Sequence, residues 1–182
     1  NTLVAKNKVQ AGIGDGAEIS AGYELDEGEP TDHIVGSDSD VIVEADDDTH
    51  IVNCAGALAL SGSSAGVGAT IVSIIFKKTV AAGITSAAKI SAARNINVTA
   101  DSRDNLWLLA IAFGAGSSAG VAGDVNVLIF NSSTTAKLGG TAIAAGSKIN
   151  VLATSGSLLV NVGAGVAVGG TAGVVAVAIV TY

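Results

Sequence analysis

Asp46-Asp47-Asp48, with Asp38 and Asp40 just upstream, is the densest set of oxygen donors in the chain. Grouped carboxylates of this kind are what calcium selects. Comparable places further along read Asp101-Ser102-Arg103-Asp104 and Thr154-Ser155-Gly156-Ser157. A calcium site carried by a repeat keeps its ligands in each copy, and this one does not. The plainer reading is a solvated acidic turn, with calcium as the one metal worth testing and no other cofactor expected.

Asp32-His33 and Asp48-Thr49-His50 set carboxylates beside imidazoles, two members of a Ser-His-Asp system. Adjacency along the chain is not triad geometry, so these read as surface histidines in polar loops, and no catalytic residue is assigned. Gly12-Ile13-Gly14 and Gly163-Ala164-Gly165 echo phosphate-binding loops, but no helix follows to offer its N-terminus. Glycines at chain corners account for them.

Cys54 is the sole cysteine, which excludes an internal disulfide and a cysteine-based zinc site. It stands among small apolar residues and reads as a buried, inert thiol; the other reading is an intermolecular cross-link. Asn97-Val98-Thr99 and Asn131-Ser132-Ser133 fit the N-glycosylation pattern. Chains rich in Asn, Ser and Thr produce that pattern by chance.

The elements that hold these residues follow from composition and period. Hydrophobic residues make up 49% of the 182 residues, aromatics only 3%, and methionine is absent. The apolar fraction is therefore Ala, Val, Ile and Leu, beside 24 Gly and one Pro, which suits thin, layered strands and many turns. Residues 1–48 hold 13 of the 16 acids and two bases, while the rest carries three acids and seven bases. No basic stripe with interleaved aromatics appears, so nucleic acid is not an expected partner. The chain opens at Asn1 without a charged-then-apolar leader, as a processed product or an excerpt of something longer would.

Three blocks recur in the same order. Ser63-Ser64-Ala65-Gly66-Val67 returns as Ser117-Ser118-Ala119-Gly120-Val121 and, more loosely, as Gly170-Thr171-Ala172-Gly173-Val174. Val41-Ile42-Val43-Glu44-Ala45 returns from Ile96 and from Ile149, and the block starting at Ile13 returns from Ile84 and Leu138. The spacing is about 54 residues, the signature of a repeat architecture. It gives units of about 1–76, 77–130 and 131–182. Thr181-Tyr182 stands where Ile75-Phe76 does, and Asn1–Ala5 resembles Lys77–Ala81, so the ends are expected to be in phase. The first unit is longer by Tyr23–Asp38, which holds six acids, a histidine and no base. Tyr23, Glu24, Asp26, Glu27, Glu29, Asp32 and His33 would form a protruding interaction loop.

Period-2 alternation in segments such as Asp124–Phe130 predicts strands. The fold expected is all-β, a single parallel β-helix (β-solenoid) over 1–182, with rungs of about 18 residues and about nine rungs in all. Leu158–Val180 has no charge over 23 residues and GxxxG spacing at Gly165 and Gly169, which alone would suggest a membrane helix. Its counterparts carry Asp124, Asn126, Ser63 and Ser64, so strands are expected and a membrane span is not. A cross-β stack is the other reading of such strands.

Several runs carry a resemblance: Val43–Asp48 leading to Ala55-Gly56-Ala57-Leu58-Ala59-Leu60-Ser61-Gly62, then Ser64-Ala65-Gly66-Val67-Gly68-Ala69, the Ala-rich blocks, and Asn95-Ile96-Asn97-Val98-Thr99-Ala100-Asp101. Outside Tyr23–Asp38 the chain resembles repeats of leukotoxin-like, filamentous-haemagglutinin-type bacterial surface adhesins. The resemblance implies a right-handed parallel β-helix, exported and displayed on a prokaryotic cell surface for adhesion. The function expected is a non-enzymatic extracellular module, an adhesin stalk or a fibre or sheath subunit. Its partners would be further copies stacked head to tail through uncapped ends, or flanking repeats of one parent protein. The alternatives are a ligand- or glycan-binding segment using residues 23–38 and, more remotely, a polysaccharide-active β-helix enzyme. Ice binding would need ranks of outward Thr, which the sequence lacks.

Overall fold

The computed structural model describes residues 1–24, 33–34, 38–140 and 142–182. Among these the regular structure is entirely strand, with no helix. The first layer holds β1 (Thr2–Ile13), β2 (Glu18–Ala21) and β5 (Val41–Ser61). The second holds β6 (Ala65–Ile84), β7 (Lys89–Ala92) and β8 (Asn95–Gly116), and the third β9 (Ala119–Leu138), β10 (Ala142–Ala145) and β11 (Lys148–Val168). β12 (Thr171–Thr181) begins a fourth. Like strands stack in parallel as β1-β6-β9-β12, β2-β7-β10 and β5-β8-β11. The arrangement is consistent with a β-solenoid.

The register corrects three expectations. Ile74 pairs with Leu128 and Ile96 with Ile149, so each repeat unit is one layer of two long strands and one short strand. The rungs of about 18 residues, nine in all, are not what the strands form. Alternation runs without a break through 20 or more residues, and a turn placed inside it would reverse the buried face. Ala5 pairs with Phe76, so the N-terminal residues lie beside Ile74–Phe76 and not in the place of Lys77–Ala81. Gly173 pairs with Val121, one residue away from the alignment by sequence, which turns Val175 outward and Val174 inward.

Burial follows the two-residue period. In β8 the even positions Ile96, Val98, Ala100, Leu106, Leu108 and Ala110 are buried while their neighbours face out. One apolar core lies by the short strands, around Val80, Ile84, Ile90 and Val98; a second lies midway along the long sheets, around Ile74, Phe76, Leu106 and Leu128. Phe76 and Phe130 stack between layers with ring centroids 5.8 Å apart.

Past the second core the sheets converge on the Ser-rich turns, and the body narrows to a wedge. A Cβ on Gly66 would lie 2.0 Å from the Ala115 carbonyl oxygen, and one on Gly114 2.0 Å from that of Val121. Only glycine allows main chains to approach this closely. The turns themselves stack, Ser118 N–H donating to Ser64 O and Thr171 N–H to Ser118 O. Leu158–Val180 folds into the far part of β11, the Gly169-Gly170 turn at the same thin edge, and β12. Among the described residues no helix is long and apolar enough to cross a membrane.

Between β2 and β5, β3 (Tyr23–Glu24) and β4 (His33–Ile34) pair antiparallel, Tyr23 with Ile34 and Glu24 with His33. These two pairs are antiparallel and stand apart from the parallel sheets. Asp26, Glu27, Glu29 and Asp32 lie outside the described residues.

Candidate functional site

Lys78 falls on the inward phase of β6 between Phe76 and Val80, and its side chain is wholly buried. A lone buried ammonium is untenable without partners. Its Nζ lies 3.0 Å from Asp104 Oδ1 and 3.2 Å from Asp47 Oδ2, and it donates to the carbonyls of Asp47 and Arg103 and to Thr49 Oγ1. Asn7 donates to Asp47 Oδ2, Thr49 to Asp47 Oδ1 and Ser102 to Asp104 Oδ2. β1, β5, β6 and β8 therefore meet in one polar layer between the two apolar cores. The register equivalents in the third layer are Ser132, Ser155 and Ser157, so the charges are confined to the first two layers.

Asp46, Asp47 and Asp48 are consequently not a turn but the middle of a 21-residue strand. Alternation splits them: Asp47 points in to Lys78, while Asp46 and Asp48 are exposed on the outer face. They border a shallow hollow with Asp101 and Arg103, which pair with each other at 3.0 Å. Their equivalence to Asp101–Asp104 and Thr154–Ser157 is as the repeat gives it, residue for residue.

Asp38 and Asp40 are engaged by Arg94 at 3.7 and 2.6 Å. Asp40 also accepts from the Asn95 main chain and side chain. Arg94, ahead of these bonds to Asn95, holds the Asp40 carboxyl down to about 2 and is itself raised in return. The five candidate calcium ligands are thus split between the interior, an outer face and an arginine clamp. Among the described residues no group of three His, Cys, Asp or Glu is placed to hold a metal ion.

Cys54 is exposed on the outer face of β5, in register with Leu109, which corrects the expectation of a buried thiol. Both neighbours of Cys54 in the sequence take the inward phase. His50 and Asp48 share the outer face, but Thr49 between them turns inward. Gly163 and Gly165 lie within β11, facing in, and Gly12 lies within β1. Asn131 is exposed, whereas Asn97 is only half-exposed within β8.

A second polar group, not singled out from sequence, lies nearer the thin edge. Asp124 is buried with both carboxylate oxygens unpartnered, and desolvation raises its pKa. A Cβ at Gly163 would lie 1.9 Å from Asp124 Oδ2, so glycine there makes room for the carboxyl. Asn126 donates across the wedge to Val162 O, Asn53 to Ser73 O and Asn161 to Ile179 O. These asparagines tie one long sheet to the other. Strand phase was the available signal: Asp124 and Asn126 share the parity of the buried Leu128.

Compared with protein-family models, curated proteins and solved structures, the chain shows no match.

Proposed function

We propose that the chain is a non-enzymatic structural module, a stack of β-layers that extends by adding further layers of its own kind, serving as a stalk or fibre element outside a prokaryotic cell. One observation carries this reading. Ile149 and Val151 on the inward phase of β11 are 49% and 42% exposed, whereas their register partners Ile96 and Val98 are 0% exposed. The third layer thus ends in an apolar ledge of repeat type, beside unpaired strand edges that template further pairing. Another layer, from the same polypeptide or a second copy, would bury the ledge and pair the edges. The buried ion group serves the same role, since Lys78 and its two aspartates fix the sheets to one another. A right-handed winding, an expectation from the adhesin resemblance, belongs to this reading.

Electron microscopy and fibre diffraction over rising concentration test it. Growth along the stacking axis would give a reflection at about 4.8 Å and a rise of about 14 Å per three-layer chain. Particles that never lengthen, alone or joined in tandem to further repeats, would count against it. The separate antiparallel β3–β4 base favours one second role, a recognition element at residues 23–38. Deleting 25–32 should then abolish ligand or glycan capture and leave lengthening unchanged.

A further inference from the structure

The outer faces of the two long sheets differ in charge. In the wide half, the face of β1, β6 and β9 carries Lys6, Lys8, Lys77 and Lys137 and no acid. The face of β5, β8 and β11 there carries Glu44, Asp46, Asp48 and Asp101 against Arg103 and Lys148. Toward the Ser-rich turns neither face carries any charge. Val67, Ile71 and Ile75 on the first and Leu58, Trp107 and Ile111 on the second are 40–69% exposed.

We propose that the lysine face of one copy packs side by side against the acidic face of a second copy of this chain. A shift of one wedge across the sheets, with the turn about the thin edge that lays two converging faces flat, keeps the thin edges aligned, so apolar band meets apolar band and lysines meet acids. The Asn7–Asp47 hydrogen bond fixes the level: Lys6 and Lys8 flank Asn7, Asp46 and Asp48 flank Asp47, and the shift brings these pairs together. Pairing like faces would set lysine on lysine or acid on acid. A face about 20 residues long and three layers high covers roughly 950 Å², comparable with the ~800 Å² each partner contributes to a stable interface. Because each copy bears one face of each kind, the contact is heterologous and propagates. It uses sheet faces and not strand edges, so it stands independently of layer addition.

Two variants each block one face at an exposed outward position, Ile71→Asp on the lysine face and Leu58→Asp on the acidic face. Lys77→Glu and Asp48→Lys repeat the test with charged surface residues alone, and circular dichroism checks that each retains its strands. Sedimentation velocity and particle width perpendicular to the stacking axis are the readouts, since layer addition lengthens particles without widening them. The wild type should widen with concentration, and less so as salt rises. Each variant alone should stay one wedge wide. An equimolar mixture of Ile71→Asp and Leu58→Asp should form side-by-side pairs and go no further, because each retains the face the other has lost. Widening by either variant alone, a mixture that stays one wedge wide, or a wild type that never widens would overturn the proposal. A wild type that instead sediments with phospholipid vesicles would also overturn it, giving the apolar band to a bilayer.

Discussion

Lys78 Nζ and Asp104 Oδ1 lie 3.0 Å apart with both side chains wholly buried, and Asp47 approaches the same ammonium at 3.2 Å. Two carboxylates and one ammonium, linked further by Asn7, Thr49 and Ser102, thus replace an apolar contact in the middle of the wedge. Removing one member of such a set leaves uncompensated buried charge.

Lys78→Met should therefore destabilise the fold by about 3–5 kcal/mol, the cost of breaking a buried ion pair from one side. Adding Asp47→Asn and Asp104→Asn removes the stranded charges and should restore most of the loss. Denaturant midpoints of the three proteins check this. A single substitution as stable as wild type would show that the group contributes nothing.

The glycines of the thin edge make a second, paired prediction. A Cβ at Gly114 would meet main-chain oxygens at 2.0 and 2.9 Å, whereas one at Gly123 meets nothing within 4 Å. Gly114→Ala should cost at least the ~1–3 kcal/mol of overpacking, because main chain must move. Gly123→Ala should be neutral or stabilise by roughly 0.4–1 kcal/mol through the unfolded state. Thermal melts of the two variants side by side distinguish a narrow edge from a general intolerance of side chains.

Much of this was legible in the sequence. The equivalence of Val41 with Ile96 and Ile149, and of Ile13 with Ile84 and Leu138, is the hydrogen-bonded register. The number of residues in one layer was less legible, because inward Ala and Gly, such as Ala110, Ala112 and Gly114, blur the alternation that runs unbroken from Asn95 to Ala115. The same alternation would have placed Asp47 inside and Asp46, Asp48 and Cys54 outside, had the aspartate triplet not looked like a turn. Local polarity suggested a loop; a lysine distant in sequence, Lys78, made a strand affordable there. Such a partner is visible only once the facing sheets are known, as is the Gly163 that lies opposite Asp124.

Asp124 makes the stability depend on pH in one sense. Burial raises its pKa above the ordinary 3.8, so the folded state holds the proton more tightly than the unfolded state. Its unfavourable contribution is full above the raised pKa and fades as pH falls toward 3.8. Asp124→Asn should melt higher than wild type at neutral pH, with the gain shrinking in acid. A gain that is constant with pH would point to shape alone.

Asp40 works in the opposite sense. Arg94 lowers its pKa from 3.8 to about 2, so the folded state releases the proton more readily. The stability it contributes is complete above 3.8 and is lost as pH falls from there toward about 2. Asp40→Asn should thus be less stable than wild type at neutral pH and converge with it in acid, while Arg94→Gln should move the Asp40 titration back toward 3.8. Carboxyl resonances followed by NMR report that midpoint directly. Because Asp40 and Asp124 act with opposite sign, melting the two asparagine variants over one pH series separates them. The Asp124→Asn excess and the Asp40→Asn deficit should both close on acidification, one from above wild type and the other from below. Curves that move in the same direction would rule out the assignment of a desolvated acid at the thin edge and an arginine-held acid at the wide end.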